Sequence, residues 1–408
     1  MLTRRAAIAG LAGSCVSVAA SAQPGAGNGA RVMTAMAGAS LAGGARAPKL
    51  LGYDGIVPGP VLRGKQAEEL RLRLVNQLAH PTTVHWHGIR LPNPMDGVPS
   101  LTQAAVAPGE SYDYRFRTPD AGTFWYHAQS AEHLDHGLYG ALIIEEQQAL
   151  AIDRELILML SVAPEMAATR QQDTILVNGV VQPDIAVERG ERLRLRLVNA
   201  TGARGFALQL EGHAVWGIAI DGEPCEPFLV RESRLGLGPG SRIDVCVDAT
   251  LRGGATASLL EGVREQRPVA RLVYGSGERP IRRSEPAALA RNPLPARIDL
   301  KTALRADLTL ARADAITRAP IFTAARGRPV SLALRNPSGQ PHVVHVHGHH
   351  FRLLDRLDDG WKPYWLDSLV VGNDIERIAF VADNPGKWLI EYRMLESAET
   401  GAVWFAVT

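Results

Sequence analysis

Ten of the twelve histidines fall in three short windows, Thr83 to Gly88, Tyr126 to Gly137 and Pro341 to Phe351. Within them stand His85 with His87 and His345 with His347, His-x-His pairs in two distant windows, and the single His127 closing an aromatic run. On an extended strand successive side chains point to opposite faces, so residues two apart aim both imidazoles the same way. Neutral imidazole is the commonest nitrogen donor for copper and zinc, and two such pairs converging from distant parts of a chain would build a metal site. One pair alone fits satisfied core or surface histidines equally well; the repetition is what argues for a metal-site origin.

The elements that must position these rings repeat as well. Leu70-Arg71-Leu72-Arg73-Leu74-Val75-Asn76 recurs as Leu193-Arg194-Leu195-Arg196-Leu197-Val198-Asn199, and more loosely as Val330-Ser331-Leu332-Ala333-Leu334-Arg335-Asn336. Each alternates with period two, which places aliphatics on one sheet face and predicts arginines on a solvated one. The three Asn are 123 and 137 residues apart, a spacing that suits three β-sandwich domains, each with its own core. His85 lies nine residues after Asn76 and His345 nine after Asn336, whereas the middle copy has Leu208 and Leu210 at that address. An all-β chain follows, with domains over 30–148, 153–278 and 297–408 and a linker over 279–296 rich in Ala, Arg and Pro.

Composition excludes several function classes. With 44 Lys+Arg against 42 Asp+Glu there is no cationic excess of the kind nucleic acid requires. At 46% hydrophobic and 21% charged the chain can bury a real core. Thr3-Arg4-Arg5, the apolar run Ala6 to Ala20 and the small residues Ala20-Ser21-Ala22 read as a twin-arginine export signal over 1–22, which predicts a periplasmic protein. That run is too short and too rich in Ala and Gly to span a bilayer, and no other segment comes close. Cys15 leaves with the signal, so only Cys225 and Cys246 remain; an oxidising compartment permits a bridge between them, but Cys246 sits in an alternating run as a buried thiol would.

The string His85-Trp86-His87-Gly88, followed by Leu91-Pro92-Asn93, Met95-Asp96-Gly97-Val98-Pro99 and Pro108-Gly109-Glu110, resembles the first copper-binding segment of the three-domain, laccase-like multicopper oxidases. Gly122-Thr123-Phe124-Trp125-Tyr126-His127 resembles the second, and His342-Val343-Val344-His345-Val346-His347-Gly348-His349 the third. The resemblance implies three consecutive cupredoxin-like Greek-key domains. It also implies a type 1 copper that takes electrons from a substrate and passes them through a His-Cys-His segment to a type 2/type 3 cluster, where oxygen is reduced. Carried over residue by residue, His85 and His345 match type 2 ligands, and His87, His127 and His347 match type 3 ligands, while the remaining type 3 positions hold Gln129, Glu391 and Arg393. His342 matches one type 1 ligand, but the other type 1 positions hold Tyr392, Ser397 and Ala402.

In lacking the His-Cys-His segment the chain is similar to copper-free, twin-arginine-exported division proteins of the same fold. Three expectations stand side by side: a binding or structural protein with at most residual copper at a partial type 2/type 3 site; a copper-dependent oxidoreductase; and a protein holding a single copper or zinc. The partner is accordingly a protein or a small reductant. Glu391 and Arg393 share a strand face and are expected beside His347 and His87 respectively, the guanidinium standing in for a metal. His133, His136, His349 and His350 are expected in exposed or supporting roles, and Trp361, Tyr364 and Trp365 in packing. Asp96 reads equally as a turn residue and as a functional carboxylate.

Overall fold

The computed structural model describes residues 29–44, 50–163, 174–281, 284–311, 316–354, 362–372, 374–397 and 399–408. The expected export signal over 1–22, with Cys15, and Trp361 lie outside them. The regular structure of the described chain is almost wholly strand, in six sheets that form three consecutive pairs. The first pair sets six strands against four, the second six against five and the third four against five. This is the all-β architecture of three cupredoxin-like sandwiches. Among the described residues the one α-helix is the short Ala131–Asp135.

Each copy of the repeated strand has the same surroundings. Glu69–Asn76 pairs parallel with Arg31–Ala37 and antiparallel with Ser111–Arg117. Arg192–Asn199 does so with Arg154–Val162 and Arg242–Asp248, and Arg328–Arg335 with Leu304–Thr309 and Ile375–Ala382. The terminal Asn explains itself. The Asn76 amide donates to the carbonyls of His80 and Val106 while its oxygen accepts from the Leu78 N–H. Asn199 and Asn336 tie their own following loop to a distant one in the same way. A buried amide satisfied at both ends fixes where the strand stops and how the loop before the His-x-His pair turns.

Two expectations are corrected here. Arg71 and Arg73 are solvent-exposed, but Arg194 and Arg196 are almost fully buried, because that face of the middle strand lies against the first domain. Arg196 donates to Thr123 Oγ1 at 2.7 Å and to Asp244 Oδ2 at 2.9 Å, and Arg194 reaches Asp244 at 2.6 Å and Glu146 at 2.6 Å. Period-two alternation told which residues share a face and not what covers it. Nor does each domain have its own core: the middle domain does, but the first and third share one continuous apolar cluster running from Met33 to Val407.

Cys225 and Cys246 are free. Their strands, Glu223–Leu229 and Arg242–Asp248, both pair with Val215–Ile220, which lies between them. Two strand spacings put the backbones about 9.5 Å apart, beyond the reach of about 7 Å for a disulfide.

Candidate metal centre

Val84–His87 is an edge strand that pairs with Gly122–Ala128, where His127 stands directly opposite His85. Trp86, between the two ligand-type residues, points the other way into the core and is fully buried, which locks the pair's direction. In the third domain His342–Val346 runs between Ser368–Val371 and Gly386–Met394, so that Ser368 and Glu391 both face His345 across the sheet. The two edges meet. All five expected histidines, His85, His87, His127, His345 and His347, converge and are buried, none more than 5% exposed.

The hydrogen bonds fix which nitrogen of each ring is bare. His85 Nδ1 donates to the Asp96 carbonyl at 2.9 Å and His345 Nδ1 to the Asp367 carbonyl at 2.9 Å. A carbonyl only accepts, so both protons sit on Nδ1 and the two Nε2 lone pairs face each other at 3.2 Å. Likewise His127 Nδ1 donates to the Ala128 carbonyl, and His87 Nε2 donates to Ser368 Oγ, whose own proton goes to Asp367 Oδ1. That leaves His87 Nδ1 and His127 Nε2 apposed at 3.4 Å. Apposed lone pairs repel unless a cation lies between them. For metal–nitrogen bonds of about 2.0–2.1 Å at a tetrahedral angle the nitrogens sit about 3.3 Å apart, so both pairs have the spacing of two ligands on one ion.

His347 differs from the others. Its Nδ1 donates to the Asp96 carboxylate at 3.0 and 3.2 Å, while Nε2 has no hydrogen-bond partner and lies 3.6 Å from Glu391 Oε1. Burial alone would lower its pKa, but the Asp96 and Glu391 carboxylates outweigh this and push it up to about 10. Burial, with the neighbouring His85 ring acting in the same direction, pushes His127 down to about 3. Burial also lowers His87 and His345, each opposed by Asp367. Three rings are therefore neutral and ready to coordinate at ordinary pH, and the fourth is held as a cation between two carboxylates.

The remaining expected positions fall unevenly. Glu391 does face His347, and Gln129 Nε2 donates to its Oε2 at 2.8 Å. Arg393 is not the expected stand-in beside His87: its Nε donates to the Ser397 carbonyl and its guanidinium lies 3.6 Å from Asp135, where the chain packs on Gly202 of the middle domain. His342 Nδ1 contacts the Gln340 carbonyl at 3.0 Å, and the Tyr392 hydroxyl donates to the Ala311 carbonyl at 2.8 Å. A cavity of about 440 Å³ opens onto the cluster, lined in part by Trp125, His127, Gln129, Glu391 and Arg393.

Asp96 proves to be a buried carboxylate that touches two of the five rings, not merely a turn residue. Asp367 and Ser368 were missed altogether, although they orient His87 and His345. The one signal in the sequence was a lone acid entering an apolar strand, which is weak. His349 and His350 are buried, not exposed: His349 packs among Phe380, Trp388 and Phe405, while His350 lies among acids outside the cluster. His133 is buried beside Thr82 and His136 partly exposed, and Trp365 stacks under Arg352 while Tyr364 packs on Phe228.

Three family models, each described as multicopper oxidase, match residues 36–149, 154–255 and 293–407. The chain belongs to the multicopper oxidase family. Among multicopper oxidases it is 28% identical over 407 residues to MmcO of Mycobacterium tuberculosis, covering 83% of this chain and 79% of that one. Over 110 residues it is 44% identical to copper resistance protein A of Escherichia coli, which covers 26% of this chain and 18% of that protein. Of solved structures, Lac15 from a marine microbial metagenome superposes with a TM-score of 0.81 at 32% identity, covering 93% of this chain and 100% of that one. A multi-copper oxidase from Pseudomonas thermotolerans gives 0.79 at 32% identity, covering 93% and 99%. Copper is thus the metal that membership of this family implies for the donor set described above. No helix among the described residues is long and apolar enough to cross a membrane.

Proposed function

We propose that this multicopper oxidase homologue holds copper between its first and third domains at a partial type 2/type 3 site and lacks the type 1 route by which electrons would reach it. The observation that carries the reading is the apposition of His85 Nε2 and His345 Nε2 at 3.2 Å, each ring fixed by a carbonyl on its other nitrogen. His87 with His127 supply a second apposed pair, and His347 beside Glu391 would join them once copper displaced the proton it holds. At the type 1 position the candidates are His342, Tyr392, Ser397 and Ala402, one imidazole with neither thiolate nor thioether. The segment 297–408 contains no cysteine, so it offers no soft ligand of the kind that a blue copper needs. In this family copper supplies one-electron chemistry and a binding site for oxygen.

What the chain's own residues do is bind, orient and exclude water. Asp96, Asp367 and Ser368 fix the tautomers, burial keeps three rings neutral, and Glu391 with Gln129 forms the wall toward the cavity. The reading places the protein in the periplasm through its twin-arginine start, as a copper-holding member of the family with domains over 30–148, 153–278 and 297–408.

Copper loading, dialysis and elemental analysis test it. Wild type should retain copper, His85→Ala and His345→Ala should lose it, and His342→Ala should keep it. The loaded protein should show no intense visible charge-transfer band and no oxygen uptake with a phenolic reductant. A blue protein, or equal copper loss from His342→Ala, would overturn the assignment.

A further inference from the structure

A second group of buried ligand-type side chains lies where all three domains and the linker meet. Asp120 comes from the loop before Gly122–Ala128, Glu223 opens the strand Glu223–Leu229, and His350 follows the third-domain His-x-His pair. They are 1%, 3% and 3% exposed, and one potential ligand atom from each lies within 4.8 Å of the others. None of the three belongs to the histidine cluster.

Their hydrogen bonds are arranged as if something were to be held. Asp120 is gripped from one side by the Arg90 fork at 2.7 and 2.7 Å, which leaves each carboxylate oxygen further lone pairs. Glu223 Oε2 accepts from Asn292 of the linker at 3.0 Å, but its Oε1 has no hydrogen-bond partner. Neither ring nitrogen of His350 has one either. His350 Nε2 lies 3.6 Å from that bare Glu223 oxygen and 3.7 Å from Asp367 Oδ2. A buried polar group left unpaired costs about 1–3 kcal/mol, and here two such atoms, Glu223 Oε1 and His350 Nε2, lie side by side.

We propose that Asp120, Glu223 and His350 form a second metal site that takes a divalent cation of the zinc class and clasps the three domains together. One imidazole with two carboxylates is a zinc donor set, whereas calcium takes six to eight oxygens. The 3.6 Å from His350 Nε2 to Glu223 Oε1 is close to the ligand spacing around tetrahedral zinc of about 3.3 Å. Water completes the shell. Asn292 is a positioning residue, since it holds Glu223 by the oxygen that does not face His350.

The test is zinc stoichiometry on the whole chain, stripped with chelator, incubated with zinc chloride, dialysed and analysed for metal. With the copper-type cluster disabled by His85→Ala and His345→Ala, one equivalent of zinc should remain. Adding Glu223→Gln or His350→Ala should remove it, and Asn292→Ala should weaken binding about 10–100-fold. Should the double background fail to fold, Glu223→Gln alone should still bind one zinc fewer than wild type. Cobalt in place of zinc should give visible bands that His350→Ala abolishes. Zinc retained in full by Glu223→Gln, or no zinc in wild type, overturns the proposal. Failure of copper to bind the histidine cluster leaves this count untouched.

Discussion

His347 is the residue on which the cluster's electrostatics turn. Its Nδ1 donates to Asp96 while Glu391 lies 3.6 Å from its Nε2, and its pKa of about 10 stands well above the ordinary 6.5. A raised histidine contributes stability that is complete below its unfolded value and is lost as pH rises through the folded one. The metal-free protein should therefore hold that contribution below about pH 6.5 and shed it on approaching pH 10. Asp96→Asn should cost about 3–5 kcal/mol at pH 6 and much less at pH 10, read from urea unfolding of stripped protein at the two pH values. An equal loss at both would remove the charge pair from the account. Four of the five ligand-type histidines were legible because pleat periodicity couples neighbours two apart, and His127 through the resemblance of its segment. Asp367 and Ser368 were not, since each supports a ring that lies at least 22 residues away and acts through contacts that only folding brings together.

The repeated strand shows how far a pattern carries at the level of an element. Its hydrophobic period and its terminal Asn were readable, and each copy takes the same pairing. The fate of its arginines was not readable, because solvation depends on the neighbouring domain. Asp244 receives Arg194, Arg196 and the Thr123 hydroxyl in a buried interface, and although burial opposes ionisation, the two guanidiniums hold its carboxyl below the usual range. Asp244→Ala should destabilise by about 3–5 kcal/mol, because it leaves two buried cations short of a partner. Asp113→Ala, which frees exposed Arg73 in the equivalent strand of the first domain, should shift the denaturation midpoint far less.

Across the whole molecule, the separate thiols of Cys225 and Cys246 and the shared core are what distinguish this chain from three beads on a string. Burial pushes the Cys225 thiol up to about 12 and the Cys246 thiol up to about 11, so neither is a thiolate at pH 8. Native protein should alkylate slowly there, while denatured protein without reductant should take up two labels on Cys225 and Cys246. A single disulfide-linked mass shift instead would contradict the strand order. The domain count was legible from the Asn spacing, but the fusion of two cores was not, because no local pattern records a partner some two hundred residues away.

That fusion sets a timetable. Residues from Met33 to Ile144 pack into the same apolar cluster as residues from Leu308 to Val407, and Asn93 and Asn384 stitch the two by bonds to the Lys387 and Leu91 carbonyls. While the ribosome is still making the middle domain, the first sandwich has its closing surface exposed, and the long-range contacts that cover it form late and slowly. A chain stopped after residue 278 should therefore be sticky where the full protein is not. It should bind an apolar dye strongly and aggregate, whereas 153–278 alone, with its separate core, should fold cleanly. Birth order and folding order run in opposite directions here: what is translated first is finished last.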